Sequence, residues 1–165
     1  VLVEVQALVA PSVLATPRRA VIGWDNNRLA MILAVMESRC GINFSGHDIY
    51  LNIAGGIRIQ EPAADLAVAA ALVSAVAQIP LPGETVFFGE VGLAGEIRQI
   101  PQPDIRLKEA AKLGFEKAYM PARKTNKLKG KSPDAGLKIS ELKHVQDIVD
   151  IFKDDLQQAS SRKAS

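Results

Sequence analysis

The sequence predicts one globular domain of the α+β (mixed α/β) class. Its 165 residues are 48% apolar, which is enough to bury a sizeable core without disulfides or metal. Segments of alternating apolar residues are interspersed with segments in which apolar residues recur every three or four positions, as in strands and helices respectively. Some strands form adjacent hairpin pairs instead of a strict βαβ alternation, which favours the α+β class.

The first third of the chain predicts two strands and one amphipathic helix. Residues 1–5 alternate valine with other side chains, as a strand with one buried face does. A second strand is expected over 19–24, after a loop at 11–17. Asp25 occupies the N-cap position of a helix that Gly41 ends. The apolar positions of this helix recur at helical spacing, at Leu29, Ile32, Leu33 and Met36.

A turn and a buried helix are predicted at the centre of the sequence. Residues 49–53 alternate as a strand, and the two glycines at 55–56 permit a sharp turn before a short strand expected over 57–60. Pro62, with acidic residues nearby on both sides, suits the first turn of a helix, where backbone amides favour negative charge. Residues 63–78 are apolar on nearly every face, which predicts a central helix.

Shorter signals predict the remaining elements. Residues 85–91 and 96–100 flank a glycine-bearing connection, which predicts a β-hairpin. Gly114 ends a helix predicted over 104–113. The other expected elements are a strand over 117–120, a loop over 121–136, a strand over 137–139 and a helix over 145–156. The domain is expected to cover residues 1–156, followed by a disordered tail over 157–165.

Composition excludes several classes of protein. Lysine and arginine exceed aspartate and glutamate by only two, so the net charge of the chain is too small to attract DNA or an anionic membrane. The single Cys40 cannot form an internal disulfide, and His47 and His144 stand apart in polar surroundings, so no metal site is expected. The most apolar stretch, 63–79, is too short to span a bilayer, and no signal peptide is visible. We therefore expect a cytoplasmic protein without a membrane contact.

Three motifs together carry a family resemblance. They are the segments 61–68 (EPAADLAV), 89–97 (GEVGLAGEI) and 114–121 (GFEKAYMP). They resemble the protease domain of Lon, which carries a Gly-Pro-Ser-Ala-Gly helix start, a Gly-Glu-Ile-Thr-Leu-Arg-Gly hairpin and a Gly-Gly-Leu-Lys segment. The resemblance extends over about residues 2–152. It implies a Lon protease-like domain with the ribosomal-protein-type βαβ second-domain fold.

Four segments resemble one branch of that superfamily, the bacterial RadA (Sms) recombination ATPases. They are 2–9 (LVEVQALV), 17–19 (PRR), 23–31 (GWDNNRLAM) and 89–98 (GEVGLAGEIR). The resemblance implies the C-terminal domain of a larger branch-migration factor in homologous recombination and DNA repair. It implies a zinc-binding motif and a RecA-like core outside these residues, which would hold zinc, ATP and magnesium. The implied partners are single-stranded or branched DNA, a recombinase and further copies in a hexameric ring.

The catalytic dyad of Lon is absent from the matching positions. Lon uses a serine nucleophile that a lysine activates. The serine position falls on Ala63, whose methyl group cannot attack a carbonyl, and the lysine position falls on Asp104, which cannot act as a neutral amine. Lys108, one helical turn further on, would have no serine to serve. We therefore expect no catalytic residue and no cofactor in this domain.

Two alternatives remain open. One is an active Lon-like serine peptidase whose nucleophile has moved, although Ser74 lies deep in the buried helix, where its hydroxyl is expected to bond to the helix backbone. The other is the Lon-like domain of a magnesium-chelatase-like ATPase, against which the RadA-type segment at Trp24 and Asp25 argues.

Two surfaces are candidates for binding. The segment 123–131 holds five cations and no acid. These cations either neutralise DNA phosphates or only keep a surface loop solvated. These cations are Arg123, Lys124, Lys127, Lys129 and Lys131. A ring requires two different complementary patches, and aromatic anchors are enriched in such contacts. The possible anchors are Leu14, Trp24, Phe44 and Phe115, of which Trp24 and Phe115 are expected to pack in the core instead.

Overall fold

The computed structural model describes residues 2–123 and 135–153. These residues form two three-stranded sheets, a two-stranded hairpin and four α-helices, which confirms the predicted α+β class. The strands are β1 (Val5–Pro11), β2 (Arg19–Ile22), β3 (His47–Ile53), β4 (Thr85–Phe87), β5 (Glu90–Val91), β6 (Ile97–Arg98), β7 (Lys117–Pro121) and β8 (Lys138–Leu142). The helices are α1 (Asn26–Cys40), α2 (Asp65–Ala77), α3 (Pro103–Lys112) and α4 (residues 145–153).

The first sheet has the order β1-β3-β2, with β1 antiparallel and β2 parallel to β3. The strand predicted over 1–5 is wrong in extent, because the ladder to β3 begins at Val5 and continues to Pro11. The predicted alternation nevertheless holds, since Val5, Ala7 and Val9 pack against the larger core cluster. The other two sheets are β4-β7-β8, which is parallel throughout, and the antiparallel hairpin β5-β6.

Helix α1 has both predicted ends. A carboxylate oxygen of Asp25 accepts hydrogen bonds from the amides of Asn27 at 2.6 Å and Arg28 at 3.2 Å. Gly41 ends the helix in the left-handed conformation, with φ of 69°. The predicted apolar face is buried, namely Leu29, Ile32, Leu33 and Met36.

Helix α2 lies at the centre of the fold, as its all-round apolar sequence predicts. One 3-10 turn, Pro62–Ala64, precedes it, and eight of its side chains from Asp65 to Val73 are buried. No helix among the described residues is long and apolar enough to cross a membrane.

Two predicted strands need correction. Residues 57–60 join no ladder, and Ile59 makes only one hydrogen bond, from its amide to the carbonyl of Gly23 at 2.8 Å. The strand predicted over 85–91 is broken into β4 and β5. It breaks because the amide of Gly89 donates to the Ala63 carbonyl at 2.9 Å, and the Gly89 carbonyl accepts from the Leu66 amide at 3.1 Å. The start of α2 thus takes backbone groups that a continuous strand would need.

The last part of the fold follows the sequence prediction with longer strands. Helix α3 ends before Gly114, whose φ is 92°. Strand β8 continues to Leu142 because its parallel register with β7 runs as far as Pro121, which the sequence had placed in a loop. Residues 124–134 of that loop, the end of the last predicted helix at 154–156 and the tail at 157–165 lie outside the described residues.

Candidate functional site

Ala63, which the resemblance to Lon assigned to the serine position, borders a cavity of about 380 Å³. Ala63 lies in the 3-10 turn before α2 and is 5% exposed. Its carbonyl is held by the Gly89 amide, so the turn is fixed against the β5-β6 hairpin. The cavity walls are mainly apolar and include Val3, Val5, Ala67, Val86 and Phe88.

The charged groups of this cavity come from α3 and from the segment before α2. Arg106 of α3 forms an ion pair with Glu61 and also donates from Nε to the Pro101 carbonyl at 3.1 Å. Glu109 lies one turn further along α3 and lines the same cavity. The guanidinium therefore ties α3 to the start of α2 across the cavity mouth.

The described residues that line this cavity do not form a serine-lysine dyad. Among the described residues, none that lines it is a serine, threonine, cysteine or lysine. Asp104 and Lys108 are exposed on α3 and do not line it. Ser74 is engaged elsewhere, since its hydroxyl donates to the Ile79 carbonyl, beyond the end of α2, at 2.5 Å. The acceptor of this hydroxyl therefore lies just past the helix, whereas the sequence had predicted a hydrogen bond to the backbone of the helix itself.

A buried ion pair behind Ala63 was missed by sequence reasoning. Asp65 is fully buried and accepts hydrogen bonds from Nε of Arg28 at 2.5 Å, from Nη2 of Arg28, and from the Val91 amide at 3.0 Å. Burial raises the pKa of the Asp65 carboxyl, although Arg28 and the Val91 amide act in the opposite direction. Its hydrogen bond in turn raises the pKa of Arg28. The pair connects α1, α2 and β5, and sequence reasoning had used Asp65 only as a helix-start residue.

The predicted cationic segment is described only at its first residue. Arg123 donates from Nε to a carboxylate oxygen of Glu141 at 2.5 Å, and this guanidinium lowers the pKa of Glu141. The other four predicted contacts lie outside the described residues, namely Lys124, Lys127, Lys129 and Lys131.

The second sheet brings together two lysines that are distant in the sequence. Lys117 of β7 and Lys138 of β8 are direct partners in the parallel register, and both are exposed. Two like charges at paired positions repel each other, which disfavours the strand pairing slightly. Sequence reasoning missed this pair because the two residues are far apart in the chain and neither belongs to a motif.

The predicted anchors for assembly divide between core and surface. Trp24 is 4% exposed and lies in the larger core, and Phe115 packs against the smaller core, as expected. Phe44 is fully buried, so its assignment as an exposed anchor is wrong. Leu14 is 46% exposed.

Both histidines, which the sequence placed in polar surroundings, are half-buried and make local hydrogen bonds. His144 contacts the hairpin connection, with Nε2 at 2.9 Å from the Ala94 carbonyl, and its Nδ1 accepts from the Gln146 amide at 3.0 Å. In His47, Nδ1 lies 3.0 Å from the Ser45 carbonyl. Within residues 2–123 and 135–153, no three histidine, cysteine or acidic side chains are placed to hold a metal ion.

Comparison with known proteins assigns the chain to a family. The sequence profile described as "Subunit ChlI of Mg-chelatase" matches residues 6–124, which is more than half of the chain. The chain belongs to this ChlI family.

Several similar curated proteins are named DNA repair protein RadA. That of Brucella abortus (strain 2308) is 65% identical over 121 residues, which cover 73% of this chain and 26% of that protein. That of Rickettsia typhi (strain ATCC VR-144 / Wilmington) is 51% identical over 152 residues, with 92% and 32% covered. That of Escherichia coli (strain K12) is 44% identical over 153 residues, with 93% and 32% covered. The resemblance to RadA-type domains is confirmed, and the chain spans about a third or less of each of these relatives.

Three of the segments that carry the family resemblances, two RadA-like and one Lon-like, meet in space. Arg28 belongs to the segment 23–31, and Asp65 belongs to the segment 61–68. Their ion pair also holds the Val91 amide of the segment 89–98. The motifs that carried the resemblance are thus joined around one buried carboxylate beside the Ala63 cavity.

Proposed function

We propose that this chain is a non-catalytic Lon-like scaffold and assembly domain that contacts DNA within a RadA-type repair and recombination protein. The observation that carries the proposal is the cavity at Ala63, which has no nucleophile among its described lining residues. Relatives named DNA repair protein RadA, which match most of this chain, support the link to DNA repair.

The rest of the proposal concerns the whole protein to which this domain belongs. That protein is a DNA-dependent ATPase that promotes branch migration in the cytoplasm, and it works as a hexameric ring with single-stranded or branched DNA and a recombinase. ATP, magnesium and zinc bind outside this domain. This chain contributes a folded platform and binding surfaces, and no chemistry of its own.

Among the residues that the structure describes, the surface proposed to contact DNA is centred on the exposed pair Lys117 and Lys138. Adjacent cations on a rigid sheet can each neutralise one backbone phosphate and release the counterions bound to it. Their mutual repulsion is relieved when a phosphate lies between them. Strand β8 also follows the cationic segment 123–131 in the sequence.

Charge reversal tests this surface. The double variant Lys117→Glu, Lys138→Glu should bind duplex, single-stranded and branched DNA more weakly, with a salt dependence shallower by about two in the logarithmic slope, since each lost phosphate contact removes about one. The matched control is Lys108→Glu, Lys143→Glu, which makes the same net charge change at two other exposed lysines, one on α3 and one just after the end of β8. Fluorescence anisotropy of labelled DNA across a salt series measures both. Equal loss in the two variants would show a general charge effect and contradict the assigned surface.

The same charge reversal applied to the four lysines of the cationic segment tests the second part of the surface. The variant Lys124→Glu, Lys127→Glu, Lys129→Glu, Lys131→Glu should weaken binding and flatten its salt dependence further. Unchanged binding would remove the segment from the proposal and leave the lysine pair as the contact.

The non-catalytic character is tested separately. The chain should not degrade unfolded casein, and a serine-reactive fluorophosphonate should label no residue, because a serine needs an activating base to react. Labelling of any serine would overturn this part of the proposal.

A chelatase-like ATPase is the second candidate, and the family description that matches residues 6–124 favours it. In that case the rest of the gene would encode no cysteine-rich zinc motif. Such a motif upstream of this domain would support the RadA-type protein instead.

A further inference from the structure

We propose that a groove between the first and second sheets binds an extended segment of a partner protein, which adds as a strand to the free edge of β4. The segment carries apolar side chains at alternate positions, with lysine or arginine between them. This inference rests on the proposed non-catalytic role of the Ala63 cavity, because it assigns to that cavity a ligand that is bound and not cleaved.

Two adjoining cavities form this groove. The Ala63 cavity of about 380 Å³ adjoins a second one of about 360 Å³, which Phe115 lines and which we call the Phe115 cavity. Thr85 lines only the Phe115 cavity and Phe88 only the Ala63 cavity, so the two follow one another along β4. The residues that line both are Leu2, Val3, Val5, Ala67, Val86 and Phe87.

The groove runs along one edge of β4. Val86 belongs to the smaller core cluster, whereas Phe87 packs against the larger one, so their side chains leave opposite faces of the second sheet. Both residues line both cavities. A groove that contacts side chains of both faces lies at the edge of the strand.

This edge of β4 carries backbone groups without a strand partner among the described residues. β4 is the outer strand of the order β4-β7-β8. The Glu84 carbonyl accepts from the Lys117 amide at 3.2 Å, and the Phe88 amide donates to β7 at 3.1 Å. Backbone groups of alternate residues point to opposite edges, so the amides and carbonyls of Thr85 and Phe87 point away from β7. Unpaired groups of this kind bind extended chains.

The opposite wall of the groove is also a free strand edge. β1 is the outer strand of the order β1-β3-β2. The Glu4 carbonyl accepts from the Ala54 amide at 2.9 Å on the β3 side. The next residue, Val5, therefore turns its amide and carbonyl away from β3, and it lines both cavities. The groove thus offers hydrogen-bonding groups from both sheets.

The two cavities suit alternate side chains of one extended segment. Side chains two positions apart in a strand lie on the same face, about 7 Å from each other. The cavity walls are mainly apolar, and the helix start contributes only the small side chains of Ala63, Ala64 and Ala67. Each cavity therefore has room for one apolar side chain of the bound segment.

The charges of the groove favour a cationic peptide. The described charged residues that line it are three acids and one cation, namely Glu4, Glu61, Glu109 and Arg106. The cation already forms an ion pair with Glu61. Complementary charge selects the partner of a binding surface, so lysine or arginine beside the apolar side chains is favoured. The phosphates of DNA carry the wrong charge for this groove.

The test measures binding of defined peptides to the full chain by fluorescence anisotropy. The probe is fluorescein-labelled Lys-Leu-Lys-Val-Lys-Leu-Lys. A copy that is N-methylated at every residue keeps the side chains and loses the backbone donors, so it should bind about tenfold more weakly. A copy with glutamate in place of lysine should also bind more weakly, because the groove is acidic.

Two variants locate the binding site. Ala67→Leu fills the groove at a residue that both cavities share and should weaken binding about tenfold or more. Its matched control is Ala75→Leu, a half-buried alanine of α2 outside both cavities. Glu4→Lys should weaken binding about threefold at low salt, whereas Asp150→Lys, at an exposed carboxylate outside the groove, should not. Circular dichroism shows that each variant is folded.

Four results separate the groove from the proposed function. Failure of the wild type to bind the probe, or equal binding by Ala67→Leu and Ala75→Leu, would overturn the peptide groove and leave the non-catalytic role standing. Equal binding of the N-methylated copy would overturn the pairing with β4. Displacement of the probe by DNA would assign the groove to another occupant and overturn the peptide. Cleavage of the probe, detected by mass spectrometry, would support the groove and contradict the non-catalytic role.

Discussion

Removing the Arg28–Asp65 ion pair one partner at a time tests whether it holds the motif region together. Asp65→Ala removes a fully buried carboxylate that accepts from Arg28 and from the Val91 amide. Arg28→Met keeps a long apolar stem and removes the charge. The double variant removes both partners, so the three chains and the wild type form a double-mutant cycle.

The expected magnitudes follow from what each variant leaves behind. Removing one partner of a buried pair costs about 3–5 kcal/mol. Asp65→Ala should cost about 3 kcal/mol, at the low end of that range, because the Arg28 side chain is 25% exposed and can turn to water. Arg28→Met leaves the buried carboxyl without its cation and should cost a similar amount near neutral pH. The double variant should lose about 1–3 kcal/mol less than the sum.

The pH dependence of Arg28→Met has a definite sign. Burial already raises the pKa of Asp65 in the folded protein, and loss of the cation raises it further. A carboxyl whose pKa is raised by folding contributes stability below its unfolded pKa, and that contribution is lost as the pH rises through the folded-state pKa. Arg28→Met should therefore lose less stability relative to the wild type in mild acid than at neutral pH.

Urea unfolding measures all four chains. Trp24 is the single tryptophan and is 4% exposed, so its fluorescence reports the core, and circular dichroism gives an independent probe. The urea dependence should be similar in all variants, so that midpoints can be compared. A cost of less than about 1 kcal/mol for Asp65→Ala, or single costs that simply add, would refute the role of the pair as a buried coupled unit.

Three further predictions concern other positions. Gly23→Ala should destabilise the fold by about 1–3 kcal/mol, measured by urea unfolding. At a φ of 84°, the added β-carbon would lie 2.6 Å from the Ile57 carbonyl oxygen. The control Gly46→Ala should cost less, because Gly46 has a similar φ of 73° but no neighbour within 4 Å of the added β-carbon. Equal costs would remove the steric explanation. Ala63→Ser should remain unlabelled by a fluorophosphonate, since no lysine among the described residues lines its cavity, and labelling would show that an unrecognised base exists. Glu141→Gln should reduce the loss of stability in acid, as measured by urea midpoints across pH. The pKa of Glu141 is lowered in the folded protein, so its charged form contributes stability above its ordinary pKa, and this contribution disappears as the pH falls through the lowered pKa. An unchanged acid profile would refute this prediction.

Helix ends were predictable because their signals are local. Asp25 and Gly41 define α1 through hydrogen bonds and backbone conformation within one turn of the helix end. Pro62 and the run of small apolar residues similarly predict the start and the burial of α2. These features depend on neighbouring residues in the chain, so the sequence contains them directly.

Strand pairing was less predictable because it depends on distant partners. Residues 57–60 and 85–91 both have extended-chain character, but the first finds no ladder and the second is divided at Gly89. The division depends on where the start of α2 lies relative to that glycine. Such a relation is set by packing of the whole chain, which no local pattern records.

The candidate site shows the same division between local and distant information. Resemblance to Lon assigned Ala63 to the serine position, and the structure shows that Ala63 lines a cavity. Resemblance did not bring Arg106 to Glu61, nor did it separate Asp104 from the cavity. The side chains of α3 that face the cavity are selected by the rotation of that helix against its neighbours.

The sequence by itself determined most element types, the caps of α1 and the burial of α2. Only the tertiary structure decided that Arg28 meets Asp65 and that Lys117 lies beside Lys138. The physical reason is the distance along the chain over which each effect acts. Backbone propensity and side-chain identity act over a few residues, whereas contacts between elements depend on register and packing that the whole chain settles at once.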